Sequence, residues 1–192
     1  MNNKQATILT DVSAIQHNFE FVRQLAPNSQ VMAVIKANAY GHGAIAVAKA
    51  LSSASALAVS RVAEAVRLRE AGISGDICIL SGATNREDLN LASIYELQLV
   101  VHAEQQLDLL AEAGARRKIW LKVDTGMGRL GFAPEQLSCV YEKLSGQRLV
   151  GLMTHFACAD DPDSGATKAQ LSKLRVASES LKAAHPGFRV LN

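Results

Sequence analysis

Lys36 is the residue of this sequence best placed to do chemistry. It directly follows an apolar, β-branched run at residues 31–35 that reads as a strand buried on both faces. Part of its stem is therefore enclosed, and enclosure disfavours the ammonium form of a lysine, which suits an amine that must condense with a carbonyl. Tyr40 follows four residues later in a turn flanked by Gly41 and Gly43, close enough to share a ligand with Lys36. The same residues fit a plainer description: a lysine with its stem on apolar surface and its head in water, and an ordinary loop tyrosine. His42 reads as a loop residue without a chemical role.

Two further strand ends carry unusual residues. In Ile119-Trp-Leu-Lys122-Val-Asp124-Thr-Gly126-Met-Gly128-Arg129-Leu-Gly131-Phe132, charge clusters at the end of an apolar strand, and three glycines let backbone approach a ligand. The planar fork of Arg129 suits a carboxylate or phenolate. Gly126, Gly128 and Gly131 also match G-x-G-x-x-G, but Phe132-Ala133-Pro134 delays the helix that a dinucleotide site needs at the third glycine. In Leu152-Met-Thr154-His155-Phe-Ala-Cys158-Ala-Asp160-Asp161, His155 sits where a strand ends, either as a working imidazole or as a satisfied structural one. Asp160 and Asp161 read as loop residues. The remaining histidines are scattered and show no metal-ligand spacing, so no metal is expected.

The elements that must hold these residues alternate regularly. A helix opens near Asp11 or Ser13, with Ile15, Phe19, Val22 and Leu25 on one face, and Pro27 and Asn28 end it. Strands are expected at 31–35, 57–59, 77–80, 97–101, 119–123 and 149–156. The helices between them are expected at 44–51, 62–70, 87–94, 104–113 and from Pro134 to about 145. A long helix covers 167–184, and 188–191 starts a seventh strand. Short connections and strict alternation argue for a parallel sheet with helical cover. A doubly wound open sheet and a (β/α)8 barrel both fit, and in either one the reactive groups gather at the C-terminal ends of the strands. There is no linker-like stretch, so residues 1–192 read as one domain.

Bulk properties narrow the partners. Lys and Arg total 20 against 18 for Asp and Glu, a net charge of +2, which is too even for nucleic acid or anionic membrane as the main partner. No stretch approaches the roughly 18 uninterrupted apolar residues of a membrane span, and the N-terminus lacks a signal-peptide core. The three cysteines are widely spaced and form no C-x-x-C pair, as expected for reduced thiols in a cytoplasmic protein.

Taken together, A-V-I-K-A-N-A-Y-G-H-G, K-V-D-T-G-M-G-R-L-G-F and M-T-H-F-A-C-A-D resemble successive signature segments of the alanine racemase family, in the same order and at similar separations. The resemblance covers essentially the whole chain. It implies a (β/α)8 TIM-type barrel, here about six βα units plus the start of a seventh strand, followed in the family by a mostly β domain. It implies a homodimer that uses pyridoxal 5'-phosphate to interconvert L- and D-alanine for cell-wall peptidoglycan. Lys36 matches the family's Schiff-base lysine, which is also one of two acid/base groups at the substrate α-carbon. Tyr40 matches a tyrosine that contacts the cofactor phosphate. Arg129 matches the arginine near the cofactor's phenolic oxygen and the substrate carboxylate. Lys122 matches a lysine that is often carbamylated, and His155 a histidine that supports the arginine facing the pyridine nitrogen.

The sequence also departs from the family pattern. The second base is a tyrosine from the partner subunit's C-terminal region, and no counterpart of that region occurs here. A complete barrel takes about 250 residues, so 192 are expected to be part of a longer protein. A pyridoxal-phosphate carrier of the same fold, a decarboxylase-like enzyme and a non-catalytic cofactor-binding chain stand as alternatives. A nicotinamide oxidoreductase built on the glycine pattern is a more distant one.

Overall fold

The computed structural model describes residues 8–185. The α/β class expected from the sequence is observed: six strands alternate with helices, and the strand pairs within each part of the chain run parallel. The chain divides into two compact units, Met1–Ile77 and Cys78–Asn192.

In the first unit, helix α1 (Val12–Leu25) opens at Asp11, whose Oδ1 accepts the N–H groups of Ser13 and Ala14 at 2.9 and 3.1 Å. That satisfies amides that a helix start otherwise leaves bare. α1 packs on α2 (Ala44–Ala50), and the Gln16 side-chain amide donates to the Ala50 carbonyl across the seam. Strands β1 (Met32–Val34) and β2 (Ala56–Val59) pair in parallel with Ala33 opposite Leu57. β2 is wholly buried, but β1 is shorter and more open than its composition suggests, with Val34 42% exposed. Within this unit β1 has a strand neighbour on one side only, so one flank of its side chains goes uncovered. Helix α3 (Val62–Glu70) buries Val62, Ala65 and Leu68. It ends in a Schellman closure: the Gly72 N–H donates to Arg69 O and the Ile73 N–H to Leu68 O, with Gly72 at φ +87°.

The second unit takes in the last two residues of β3 (Ile77–Ile79), then β4 (Gln98–Val101), β5 (Lys118–Lys122) and β6 (Arg148–Met153), which pair in that order. Helices α4 (Arg86–Ile94), α5 (Glu104–Ala113), α6 (Leu137–Lys143) and α7 (Ala166–Ala184) belong to it. Leu99, Ile119 and Leu121 are almost completely buried on one face of the strands. The opposite face carries Gln98 and Trp120, and the Trp120 indole N–H donates to Gln98 Oε1 at 2.6 Å. A register shift beside Trp120 sets Gly151 opposite the indole. A β-carbon at Gly151 would lie 2.4 Å from the ring, so only glycine leaves room for the Trp120 indole against β6.

Where one helix was expected from Pro134, there are two pieces: a 3-10 turn at Pro134–Gln136 and then α6, which stops at Lys143. The Gln136 side chain reaches back to accept the Ala133 N–H at 2.9 Å, and that contact ties off the tight first turn. The strand expected at 188–191 lies outside the described residues.

Burial pushes the Cys78 thiol up to about 12, whereas Cys139 is exposed. The thiolate is the reactive form. Mild alkylation at neutral pH is expected to modify Cys139 in the native chain and to reach Cys78 only on unfolding, read by peptide mass mapping. Gly151→Ala is expected to cost about 1–3 kcal/mol by overpacking, read as a lower urea midpoint. The cost should shrink in a Trp120→Leu background, because the ring that the new methyl would strike is gone.

Candidate functional site

In the first unit, the Ile35 N–H donates to Ala58 O at 2.8 Å and brings the chain out of β1 with Ile35 buried. Lys36 follows, half-buried. The next residues form a helical turn of the wrong hand: in Lys36–Tyr40, φ is 52° at Ala37, 56° at Asn38, 53° at Ala39 and 53° at Tyr40. For L-residues this region costs roughly 1–2 kcal/mol each. The run is held at both ends. The Ala37 N–H donates to Glu64 Oε1 at 2.6 Å, and the other oxygen of that carboxylate accepts the N–H groups of Ser60 and Arg61 at 2.9 and 3.0 Å. At the far end, Asn38 Oδ1 accepts the Ala44 N–H at 2.9 Å and so caps α2. Within the turn, the His42 N–H donates to Ala39 O, and the His42 ring nitrogen Nδ1 lies 2.9 Å from the same oxygen. His42 thus helps to close the turn.

Lys36 and Tyr40 therefore leave the first unit on a stiff base. Among the described residues, no hydrogen bond or ion pair engages either side chain, and Tyr40 is 60% exposed. A cavity of about 180 Å³ lies alongside, lined by Asn38, Gly43, Ala44, Glu64, Arg67 and Leu68.

In the second unit, β5 ends at Lys122, which is buried. The chain then closes a loop on itself: the Phe132 N–H donates to Lys122 O, and the Asp124 N–H donates to Phe132 O. Gly131, at φ +123°, sits where a β-carbon would fall 2.7 Å from the Asp124 nitrogen. Inside the loop, Asp124 Oδ1 accepts the N–H groups of Gly126 and Gly128 at 2.9 and 3.1 Å. These bonds, first that from Gly128, hold the Asp124 carboxyl below the usual carboxylate range, with a smaller contribution from the Lys122 charge. The glycines thus close a loop rather than open a helix, and the helix proper begins only at Leu137. Arg129 stands exposed on this loop, with no hydrogen bond or ion pair to its guanidinium among the described residues.

β6 delivers His155, which is exposed. Beneath it runs a buried polar chain that residue types alone did not reveal. Thr154 Oγ1 donates to Val123 O at 2.9 Å, so the Thr125 hydroxyl must donate to Thr154 Oγ1 at 2.8 Å. The Gln170 amide of α7 donates to Thr125 Oγ1 and to His155 O, and its oxygen accepts the Ala157 N–H. Thr125 and Gln170 are 1% and 4% exposed, so every group here needs the partner it has. The chain ties the ends of β5 and β6 to α7 and fixes the backbone that carries His155. A groove of about 1020 Å³ lies nearby, lined by Asp124, Gly128, Gly131, Pro134, Lys173 and Val176, and leaves out Lys122, Arg129 and His155. Asp160 and Asp161 are exposed, and no group of metal-holding side chains occurs among the described residues. No helix among them is long and apolar enough to cross a membrane.

The Asp124 turn has an acid signature. A carboxylate held low when folded stabilises the fold above its unfolded value, near 4, and that contribution is lost as pH falls through the lower folded value. The wild-type chain is expected to lose more stability than Asp124→Asn between about pH 5 and pH 2, measured by urea unfolding. Asp124→Ala should lose about 1 kcal/mol at neutral pH.

Residues 10–192 match the family model described as alanine racemase, N-terminal domain. The chain is 43% identical over 175 residues to an alanine racemase of Edwardsiella ictaluri, covering 88% of this chain and 48% of that protein. It is 45% identical over 172 residues to a biosynthetic alanine racemase of Escherichia coli, covering 86% and 48%. Among solved structures, biosynthetic alanine racemase from Pseudomonas aeruginosa superimposes with a TM-score of 0.83 at 37% identity, over 88% of this chain and 49% of that one. Alanine racemase from Corynebacterium glutamicum gives 0.84 at 31% identity, over 94% and 54%. The likeness is consistent with the partial barrel expected from the sequence, and the chain spans about half the length of the curated relatives it matches. On this ground the chain belongs to the alanine racemase N-terminal domain family.

Proposed function

We propose that this chain is the cofactor-binding N-terminal portion of a pyridoxal-phosphate-dependent alanine racemase. The observation that carries the reading is its 43–45% identity to alanine racemases over most of its length. Among the described residues, the Lys36 amine and the Tyr40 phenol of the first unit and the Arg129 guanidinium of the second have no hydrogen bond or ion pair, and groups of these kinds would suit the cofactor. Bound pyridoxal phosphate supplies an electron sink that makes the α-hydrogen of an amino acid acidic.

The roles proposed for this chain's own residues are those that the family resemblance implies. Lys36 would hold the cofactor through its amine, and its Nζ would take or return a proton at the substrate α-carbon. A positioned base of this kind contributes about 10²–10⁴-fold. Tyr40 would hold the phosphate group with its hydroxyl. Arg129, with its planar fork, would bind the cofactor's phenolic oxygen and the substrate carboxylate. Lys122, buried at the end of β5, orients Arg129 if carbamylated, since the carbamate turns a cation into an anion. His155 would take the family's part of supporting the arginine that pairs with the pyridine nitrogen. On this reading the substrate is alanine, the working form is a cytoplasmic homodimer, and the product feeds peptidoglycan synthesis.

Borohydride reduction of the chain with pyridoxal phosphate, followed by peptide mapping, is expected to place a single pyridoxyl group on Lys36. Lys36→Ala should abolish it. Label scattered over surface lysines in the wild-type chain would overturn the reading.

A further inference from the structure

We propose that Glu64 is the positioning residue for Lys36, acting through the peptide bond that joins Lys36 to Ala37. The proposal rests on the reading of Lys36 as the cofactor lysine. A glutamate at the third position of a helix ordinarily does one local job: it accepts the N–H of the residue before the helix. Glu64 does that job for Arg61 at 3.0 Å and for Ser60 at 2.9 Å, using Oε2 alone. Oε1 is left over, and it makes the shortest of the three contacts, 2.6 Å to the N–H of Ala37, a residue 27 positions away. Capping α3 does not require that bond.

Its effect falls on Lys36. The Ala37 amide is the first donor beyond the Lys36 α-carbon, and the Ile35 amide lies one residue ahead of Lys36. Ile35 is fixed to Ala58 O of β2, and Ala37 to Glu64 of α3. The Lys36–Ala37 peptide plane is therefore anchored to α3 and the Val34–Ile35 plane to β2, while the Ile35 carbonyl of the plane between them accepts the Ala39 N–H at 2.9 Å; together these set the direction in which the side chain leaves the backbone. The anchor has work to do, because the four residues that follow sit at φ 52–56° and would relax toward the right-handed or extended region if released. The ionised carboxylate suits the task, since charge-assisted bonds are short and roughly twice as strong as neutral ones. Asn38, holding the other end through Ala44, completes the restraint.

The test is Glu64→Gln in the full chain. A glutamine has one oxygen. Kept on the two amides of Ser60 and Arg61, it preserves the cap of α3 and turns its NH2 group against the Ala37 N–H. The fold is expected to survive, as judged by circular dichroism. Pyridoxal phosphate affinity should fall roughly 10–100-fold, in the range that a misplacement of about 1 Å costs. The borohydride label should leave Lys36 for other lysines, and the visible absorption band of the lysine adduct should weaken. Asn85→Ala removes a helix-start cap from the second unit, where Asn85 accepts the Asp88 N–H, and is expected to leave the Lys36 label unchanged. Equal effects of the two variants, or a Glu64→Gln chain that labels as wild type does, would overturn the proposal.

Hydrogen exchange without cofactor gives a second readout. The Ala37 amide should exchange slowly in the wild type and at least tenfold faster in Glu64→Gln, and equal rates would overturn the clamp itself. Should Glu64→Gln not fold, Glu64→Asp serves in its place. It keeps an acceptor near Arg61 but falls about 1.5 Å short of Ala37, and the same losses are expected. A wild-type chain that binds at Lys36 while the variants match it sinks only the role of Glu64. A wild-type chain that takes no label at Lys36 sinks the cofactor reading and the role together.

Discussion

A run of four L-residues wound left-handed cannot support itself. Ala37, Asn38, Ala39 and Tyr40 together forgo several kcal/mol relative to ordinary backbone, at roughly 1–2 kcal/mol each. A turn of this kind persists only when its surroundings over-determine it. Here the surroundings are β2, α2 and α3: Ala58 fixes the residue before Lys36, Glu64 the residue after it, and Asn38 is consumed in starting α2. The packing of α2 on α1 and of Val62, Ala65 and Leu68 of α3 in the core keeps those anchors in place. Lys36 is thus carried by an irregular segment with little of the freedom that irregular segments usually have.

The second unit meets a similar demand by the opposite route. Instead of forcing side-chain-bearing residues into a rare conformation, the loop after β5 uses glycines where the backbone must turn or pass close, and ties itself down through Asp124 and the Lys122–Phe132 pairing. It carries Arg129 on its outer edge. Below it, the chain Gln170–Thr125–Thr154–Val123 has a single consistent direction of donation, because Thr154 has one proton and gives it to a carbonyl. A fixed direction leaves few alternative arrangements, so this buried network favours one placement of the β6 end.

Much of this was legible in the residues. Periodicity and cap chemistry gave α3 and α5 their observed bounds, and put the start of α1 near Asp11 or Ser13, of which Asp11 is the cap. Lys36, Tyr40, Lys122, Arg129 and His155 all stand at or just beyond strand ends, as alternation required. The handedness of the Lys36–Tyr40 turn was hidden, because alanine carries no signal for positive φ and only Asn38 is tolerant of it. Glu64 was hidden for another reason: its local role as a helix-start acceptor is a complete explanation until the fold brings Ala37 to its second oxygen. Gln170 and Thr125 escaped notice because a buried amide and a hydroxyl at isolated positions look like surface residues until their partners are known. The split at Pro134 turned on one side-chain contact, Gln136 to the Ala133 amide, that periodicity does not register.

The close approach of the Trp120 ring to Gly151 is more than a packing detail. The chain has one tryptophan, and its indole joins three strands at once, hydrogen-bonded to Gln98 on β4, borne on β5 and set against β6. Its ultraviolet emission is therefore an intrinsic optical gauge of how those three strands are joined, free of background from any other indole. Solvent reaching that ring would register the parting of β5 from β6 while the first unit, which has no indole, stayed silent.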